Sequence, residues 1–166
     1  MAHDGHMNVD VPQNRMVLAY LTRPGRPNPL PAVVTPEEVE DPYTRLGAHP
    51  EVVQRIWDEL GESLPRICRS VVHSAPVLLH PETGTIFVLA LGTGYGLRLL
   101  PPLVRVAISR GAPISVRYTY GGEMNAHRDL GHDWVLGAWL AAEPRWCVQS
   151  FEYFGRFGDT ELESHP

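Results

Sequence analysis

The apolar positions early in the chain predict one amphipathic helix over residues 50–60. Pro50 suits the first helical position, and Gly61 suits the left-handed position just beyond the helix end. Four apolar residues recur at the i, i+3, i+4 and i+7 spacing of one helical face: Val53, Ile56, Trp57 and Leu60.

After residue 61 the pattern changes to short apolar and β-branched runs separated by turn residues. Residues 67–72, 77–80 and 85–91 have the length and composition of strands, and 81–84 supply a Pro/Gly turn between two of them. Residues 97–100 follow a glycine-rich break and have the composition of a further short strand. The middle of the chain therefore predicts hairpins.

The last third of the chain alternates between predicted helices and strands. Pro101 and Pro102 open a short helix over 103–110 that Gly111 closes. Residues 114–120 alternate in polarity as a half-exposed strand does, and 134–140 form another apolar run. Residues 144–154 predict a last helix, whose inward positions are Cys147, Val148, Phe151 and Phe154. The order predicts an α+β fold, with a small mostly antiparallel sheet packed with two or three helices.

The N-terminal region lacks this regularity. Residues 16–21 form an apolar run of strand length, which fits an edge strand or an arm that docks on the core or on another subunit. Residues 22–36 contain five prolines and predict an irregular strap, and Thr35 to Glu38 match a capping box. We interpret residues 1–6 as a vector-derived leader, 7–42 as arm and strap, 43–158 as one α+β domain, and 159–166 as a frayed acidic tail.

Composition and charge restrict the classes of function. The 166 residues contain 14 arginines, no lysine and 19 acidic residues, which gives a net charge of -5. Residues 1–42 and 159–166 each carry -3, whereas 43–158 carry +1. This balance argues against a nucleic-acid partner, and no apolar run is long enough to predict a membrane span. The arginine, proline and glycine bias indicates a bacterial source, and the lack of an export signal predicts a cytoplasmic protein with reduced thiols.

Gly92, Gly94 and Gly96 follow an apolar strand and form the first candidate site. With Leu91 they resemble the glycine-rich first motif of Rossmann-like methyltransferases, which implies a nucleotide or S-adenosylmethionine site with Glu123 as the ribose-binding acid. A turn between antiparallel strands is the alternative. We favour that turn because Pro101 and Pro102 prevent a helix from starting at Gly96, and because about 116 core residues are few for a doubly wound sheet.

His127, Asp129 and His132 form the second candidate site, because imidazole and carboxylate groups ligate transition metals. Their spacing does not place both histidines on one helix face and matches no known zinc signature. A polar loop with Asx turns and a helix cap is the alternative that we favour.

The two cysteines form a third candidate. Cys147 lies on the inward stripe of the last helix, where an inert thiol is expected. Cys68 lies between Arg66 and Arg69, which would lower its pKa if the thiol were exposed. Neither cysteine belongs to a known catalytic motif, so we expect no thiol nucleophile.

Arginines and tyrosines form the last candidate, a surface for protein contacts. The residues are Arg98, Arg105, Arg117, Tyr118 and Tyr120, with Arg110 and Tyr95 as further members. The alternative is a solvated face with ion pairs to Glu123, Asp129 and Glu143. The sequence predicts a non-enzymatic protein-interaction module of inhibitor, immunity or accessory-subunit type. It would have a protein partner or form a homo-oligomer, and it would need no cofactor. A transferase-like enzyme and a metal-binding domain are the alternatives.

Overall fold

Antiparallel strand pairing dominates the structure, which is a computed structural model. It describes residues 7–118, 122–137 and 142–163. For residues 117, 118, 122 and 156–163 it describes the backbone alone. The strands are β1 Val33–Val34, β2 Arg69–Val72, β3 Ala75–Leu79, β4 Ile86–Leu91, β5 Gly94–Arg98, β6 Ser115–Tyr118, β7 Gly122–Asn125 and β8 Trp134–Gly137. Six of them form one antiparallel sheet in the order β1-β2-β3-β4-β5-β8, and β6 pairs with β7 in a separate hairpin.

Helices cover both faces of the main sheet. They are α1 Arg15–Leu21, α2 Pro50–Gln54, α3 Pro101–Ser109, α4 Ala126–Asp129 and α5 Pro144–Glu163. Beneath α2, α3 and α5 lies a first core that includes Ile56, Val104 and Trp146, and beneath α1 and α4 lies a second core that includes Val17 and Trp134. The predicted α+β class is therefore confirmed. In the described ranges no helix is both long and apolar enough to cross a bilayer.

The predicted helix at 50–60 is confirmed, but its second half is wider than an α-helix. Six residues, Arg55–Leu60, continue α2 with π-helical hydrogen bonds. Gly61 has a φ of -92°, so the prediction of a left-handed cap is wrong. Glycine is required for a different reason, because a Cβ at this position would lie 2.9 Å from the carbonyl oxygen of Trp57.

The apolar run at 16–21 is part of helix α1, so the alternative of an edge strand is wrong. Val17 and Leu21 are buried in the second core, so this segment packs on the core of its own chain. Asn14 holds the start of this arm. Its Nδ2 donates to the carbonyl oxygens of Val9 and Gly84, each at 2.8 Å, and its Oδ1 accepts from the Ile86 amide at 3.0 Å.

The proline-rich strap lies against the turn between β2 and β3. His73 and Ser74 form this turn with φ values of 45° and 67°, as a type I′ hairpin turn requires. The Arg26 guanidinium donates to the His73 carbonyl oxygen at 2.6 Å, and the Ser74 hydroxyl donates to Asn28 at 3.0 Å. The strap then continues into β1, so it completes the sheet.

Helix α5 ends later than the sequence predicts. Its backbone continues beyond Phe154 to Glu163, so it includes five residues of the segment interpreted as a frayed tail. The buried positions include Cys147 and Phe154, as predicted.

Candidate functional site

The glycine-rich segment is a hairpin turn. Leu91 pairs with Gly94, so Gly92 and Thr93 form a two-residue connection in which Gly92 has a φ of 61°. A nucleotide cradle of the Rossmann type needs a helix N-terminus after the glycines, and this turn leads into β5 instead. Glu123 lies in the separate β6–β7 hairpin. The structure therefore gives these residues the turn geometry that we favoured.

The segment from His127 to His132 brings two of its three candidate ligands together, although His127 and Asp129 lie in helix α4 and not in a loop. The rings of His127 and His132 are 5.3 Å apart between centroids. The Asp129 carboxylate accepts hydrogen bonds from the Arg128 guanidinium at 2.9 Å and the Asn125 amide at 3.0 Å, and the Arg128 hydrogen bond lowers the pKa of Asp129. Within the described ranges no three His, Cys, Asp or Glu side chains are grouped as metal ligands.

Neither cysteine has the environment of a nucleophile. Both side chains are buried and free of disulfides. Burial raises the pKa of Cys68 to about 11 and that of Cys147 to about 12. The neighbouring arginines do not activate Cys68, because its side chain points into the first core.

We therefore expect that the thiols of Cys68 and Cys147 do not react with a disulfide reagent while the protein is folded. At about pH 8 an aromatic disulfide reagent should modify neither Cys68 nor Cys147 within the time in which it modifies free cysteine, because only the thiolate attacks. In concentrated guanidinium both should react, and the absorbance of the released thiolate measures the number. One equivalent of fast labelling in the native protein would contradict this assignment.

Arg98 corrects the predicted interaction surface, because it lies in the interior. Its side chain is 6% exposed, and its Nε donates to the Asp133 carboxylate at 2.7 Å. A second donor reaches the Gln13 carbonyl oxygen at 3.2 Å, and the guanidinium lies 4.9 Å from the ring centroid of Phe154. Arg98 therefore links the N-terminal arm to the end of the sheet and to α5.

His80 is a second buried titratable group near this end of the sheet. Its ring stacks on Phe151 with centroids 4.6 Å apart, and its Nδ1 accepts from the Glu82 amide at 3.1 Å. Burial lowers the pKa of His80 from its ordinary value of 6.5, against an opposing effect of the Glu82 carboxylate.

This shift predicts lower stability in acid. Below about pH 6.5 the unfolded chain protonates His80 while the folded chain does not, so the free energy of unfolding should fall until the lower folded pKa is reached. Denaturant titrations between about pH 7.5 and 5.5 should give a shallower pH dependence for His80→Gln than for wild type. Equal slopes would show that His80 contributes nothing to this dependence.

Arg105, one of the predicted surface residues, lies on the outer face of α3. Arg105 is exposed and makes no ion pair within the described part of the chain, and Ile108, one turn later, is 39% exposed. Opposite this face, Val104 and Ala107 are buried in the first core and hold the helix in place. We call Arg105, Ile108 and Ser109 the α3 face.

Two more arginines lie where α3 meets the start of α5. Arg110 and Arg145 both pair with the Glu143 carboxylate, the latter at 2.8 Å. The Arg110 guanidinium also lies 5.4 Å from the ring centroid of Trp146. The alternative of ion pairs to Glu143 is therefore correct for Arg110, and one carboxylate serves two cations.

The sequence around α3 contains a charge asymmetry that no motif marks. The 40 residues from Thr83 to Gly122 contain four arginines and no acidic residue. Counting charges in windows would have found it. Of the other predicted surface residues, Arg117 and Tyr118 lie on β6 without described side chains, and Tyr120 lies outside the described residues.

Comparison with known proteins finds no family model, no curated protein and no solved structure that matches this chain. The candidate function is therefore inferred from the chain's own geometry and charge.

Proposed function

We propose that this protein is a non-enzymatic protein-interaction module that binds an acidic surface of another protein through the α3 face. The observation that carries the proposal is the combination of Arg105, which has no ion pair among the described residues, with the exposed Ile108 on a helix without acidic residues. Arginine and a neighbouring apolar group are a frequent pair in binding hot spots, since one supplies charge-assisted hydrogen bonds and the other buries apolar area.

The charge around the α3 face supports an acidic partner. Arg110 and Arg145 share Glu143, so the cations there outnumber the carboxylate. Such a local excess attracts an acidic surface and repels a basic one, although the whole chain is acidic.

The way in which α3 is anchored also supports the proposal. Leu100 and Pro101 begin the helix, and at its end Gly111 has a φ of 101° while the Ala112 amide donates to the Ala107 carbonyl oxygen at 2.9 Å. A helix fixed at both ends presents its side chains with little loss of backbone entropy on binding.

The environment of the reactive groups agrees with a binding role. The two thiols are buried with raised pKa values. His80 is packed against Phe151, and Asp129 is occupied by Arg128. These side chains have structural partners in place of the open geometry that a nucleophile or a general base requires.

Differential capture from a lysate of the source cells tests the proposal. The control variant is Arg45→Glu, which changes an exposed arginine 60 residues before Arg105. The immobilised wild-type chain and this control should retain the same acidic protein. The double variant Arg105→Glu/Ile108→Asp should retain at least ~10-fold less of it, as expected when a hot spot is removed.

Two outcomes of the capture experiment would overturn the proposal. One is that all three baits retain the same proteins in equal amounts. The other is that the wild-type chain retains nothing that the double variant does not. Circular dichroism of the baits shows whether each is folded.

A further inference from the structure

A second surface lies toward the opposite edge of the main sheet from α3, where a groove of about 230 Å³ opens beside the start of β2. We call it the corner groove. Its floor is formed by Val33, Ser70 and Leu79, and its rim by Glu37, Arg66 and Ile67. Leu79 and Ser70 are buried, whereas all three rim residues are exposed, so the groove is an opening over the edge of the second core.

Ile67 on the rim is the most exposed large apolar side chain of the described residues, at 68%. It lies in a 3-10 turn, Arg66–Cys68, whose next residue, Cys68, is fully buried. Because Pro65 precedes the turn and Cys68 anchors it, the backbone holds Ile67 outward. Ile67 therefore adds exposed apolar surface beside the groove.

The sheet edge at this corner offers little backbone for strand addition, because β1 has only two residues. β1 ends at Val34, and Pro36 prevents its continuation. The Thr35 amide and hydroxyl donate to the Glu38 carboxylate at 2.7 and 3.0 Å. A partner at this corner therefore meets the side chains of the groove and a strand edge of only two residues.

The charges on the rim are arranged asymmetrically. Arg66 has no ion pair among the residues that the structure describes, whereas Arg69 on the inner wall already pairs with Asp58 at 2.9 Å. Glu37 belongs to the neighbouring Pro36–Glu38 turn. An incoming segment thus meets the Arg66 guanidinium from one turn and the Glu37 carboxylate from another, so an acidic residue on it is favoured beside Arg66 and disfavoured beside Glu37.

We propose that the corner groove docks an extended segment of a second protein, which inserts one large apolar side chain and places an acidic residue on one flank against Arg66. A groove of about 230 Å³ has room for one large apolar side chain, since a cavity of about 150 Å³ already holds a benzene ring. The flank that faces Glu37 is neutral or basic.

The position of this site separates it from the α3 face. The groove floor belongs to the second core at the β1 edge, whereas α3 covers the first core and packs beside β8. Five strand spacings, roughly 24 Å in total, lie between the two edges. Both surfaces can therefore be occupied at once, as in a protein that bridges two partners.

Selection of a random heptapeptide display library on the immobilised full chain tests the docking site. Wild type and Ile108→Asp, which alters only the α3 face, should both enrich a motif with a large apolar residue beside an acidic one. Ile67→Asp should reduce the enrichment at least ~10-fold. Arg66→Glu should change the preference at the flanking position from acidic to basic.

Three results would overturn the inference: no enriched motif on wild type, a motif without the acidic preference, or the same motif at equal enrichment on Ile67→Asp. Because the probe is a peptide library and Ile108→Asp serves as the control, these results do not depend on the α3 face or on its partner. Ile67 and Arg66 are exposed, and thermal unfolding of each variant verifies that it is folded.

Discussion

Asn14→Ala should destabilise the protein by about 3 kcal/mol or more, which is a large part of the stability of a typical domain. The Asn14 side chain is 0% exposed and makes three hydrogen bonds to backbone groups of the N-terminal arm and of the β3–β4 connection. Its removal leaves the buried Ile86 amide and two carbonyl oxygens without this partner, and it leaves a cavity.

Urea titration followed by tryptophan fluorescence measures this effect. The matched control is Asn8→Ala, since the Asn8 side chain is exposed and accepts one local hydrogen bond from the Asp10 amide at 3.0 Å. We expect a change below about 1 kcal/mol for the control. Equal midpoints for Asn14→Ala and wild type would show that the arm is not held by this side chain.

Gly137→Ala should be the second strongly destabilising substitution, with a cost of about 2–3 kcal/mol. Gly137 in β8 lies directly opposite Tyr95 in β5, and a Cβ at this position would overlap the tyrosine ring. The ring is 1% exposed and packs in the first core, so it has no free space into which to move.

Gly94→Ala is the matched control for this substitution. Gly94 is likewise a strand glycine, in β5, but a Cβ there would have no atom within 4 Å. We expect its stability to be within about 0.5 kcal/mol of wild type. Similar thermal midpoints for the two alanine variants would contradict the packing of Tyr95 across Gly137.

The local elements were predictable because their signals lie within a few residues of each other. The stripe of Val53, Ile56, Trp57 and Leu60 defines α2 and its π-helical continuation, and the two prolines before Leu103 define the start of α3. The glycine turn between β4 and β5 was also predictable, since Pro101 and Pro102 exclude a helix at that point.

The N-terminal arm was predictable only in part. An apolar run of six residues fits a strand or a buried helix equally well, so residues 16–21 did not decide between them. The decisive contacts are those that Asn14 makes with Gly84 and Ile86, 70 and 72 residues further along the chain. Contacts between residues so distant in sequence leave no periodic pattern.

Contacts between residues distant in sequence also explain why Arg98 was wrongly predicted to lie on the surface. Arg98 was grouped with Arg105 because both are arginines near tyrosines, but its partners Asp133 and Gln13 are 35 and 85 residues away. The exposure of Ile67 was equally hidden, because an isoleucine at the start of a predicted strand is normally assigned to the core.

A photo-crosslinking amino acid in place of Ser109 tests the central claim most directly. Ser109 is exposed on the α3 face, and Glu51 on the exposed side of α2 is the control position. On irradiation in the source cells, the proposal predicts one discrete adduct with an acidic protein at position 109, which is absent at position 51 and is lost when Arg105→Glu is added. The absence of an adduct at 109, or the same adduct at both positions, would contradict it.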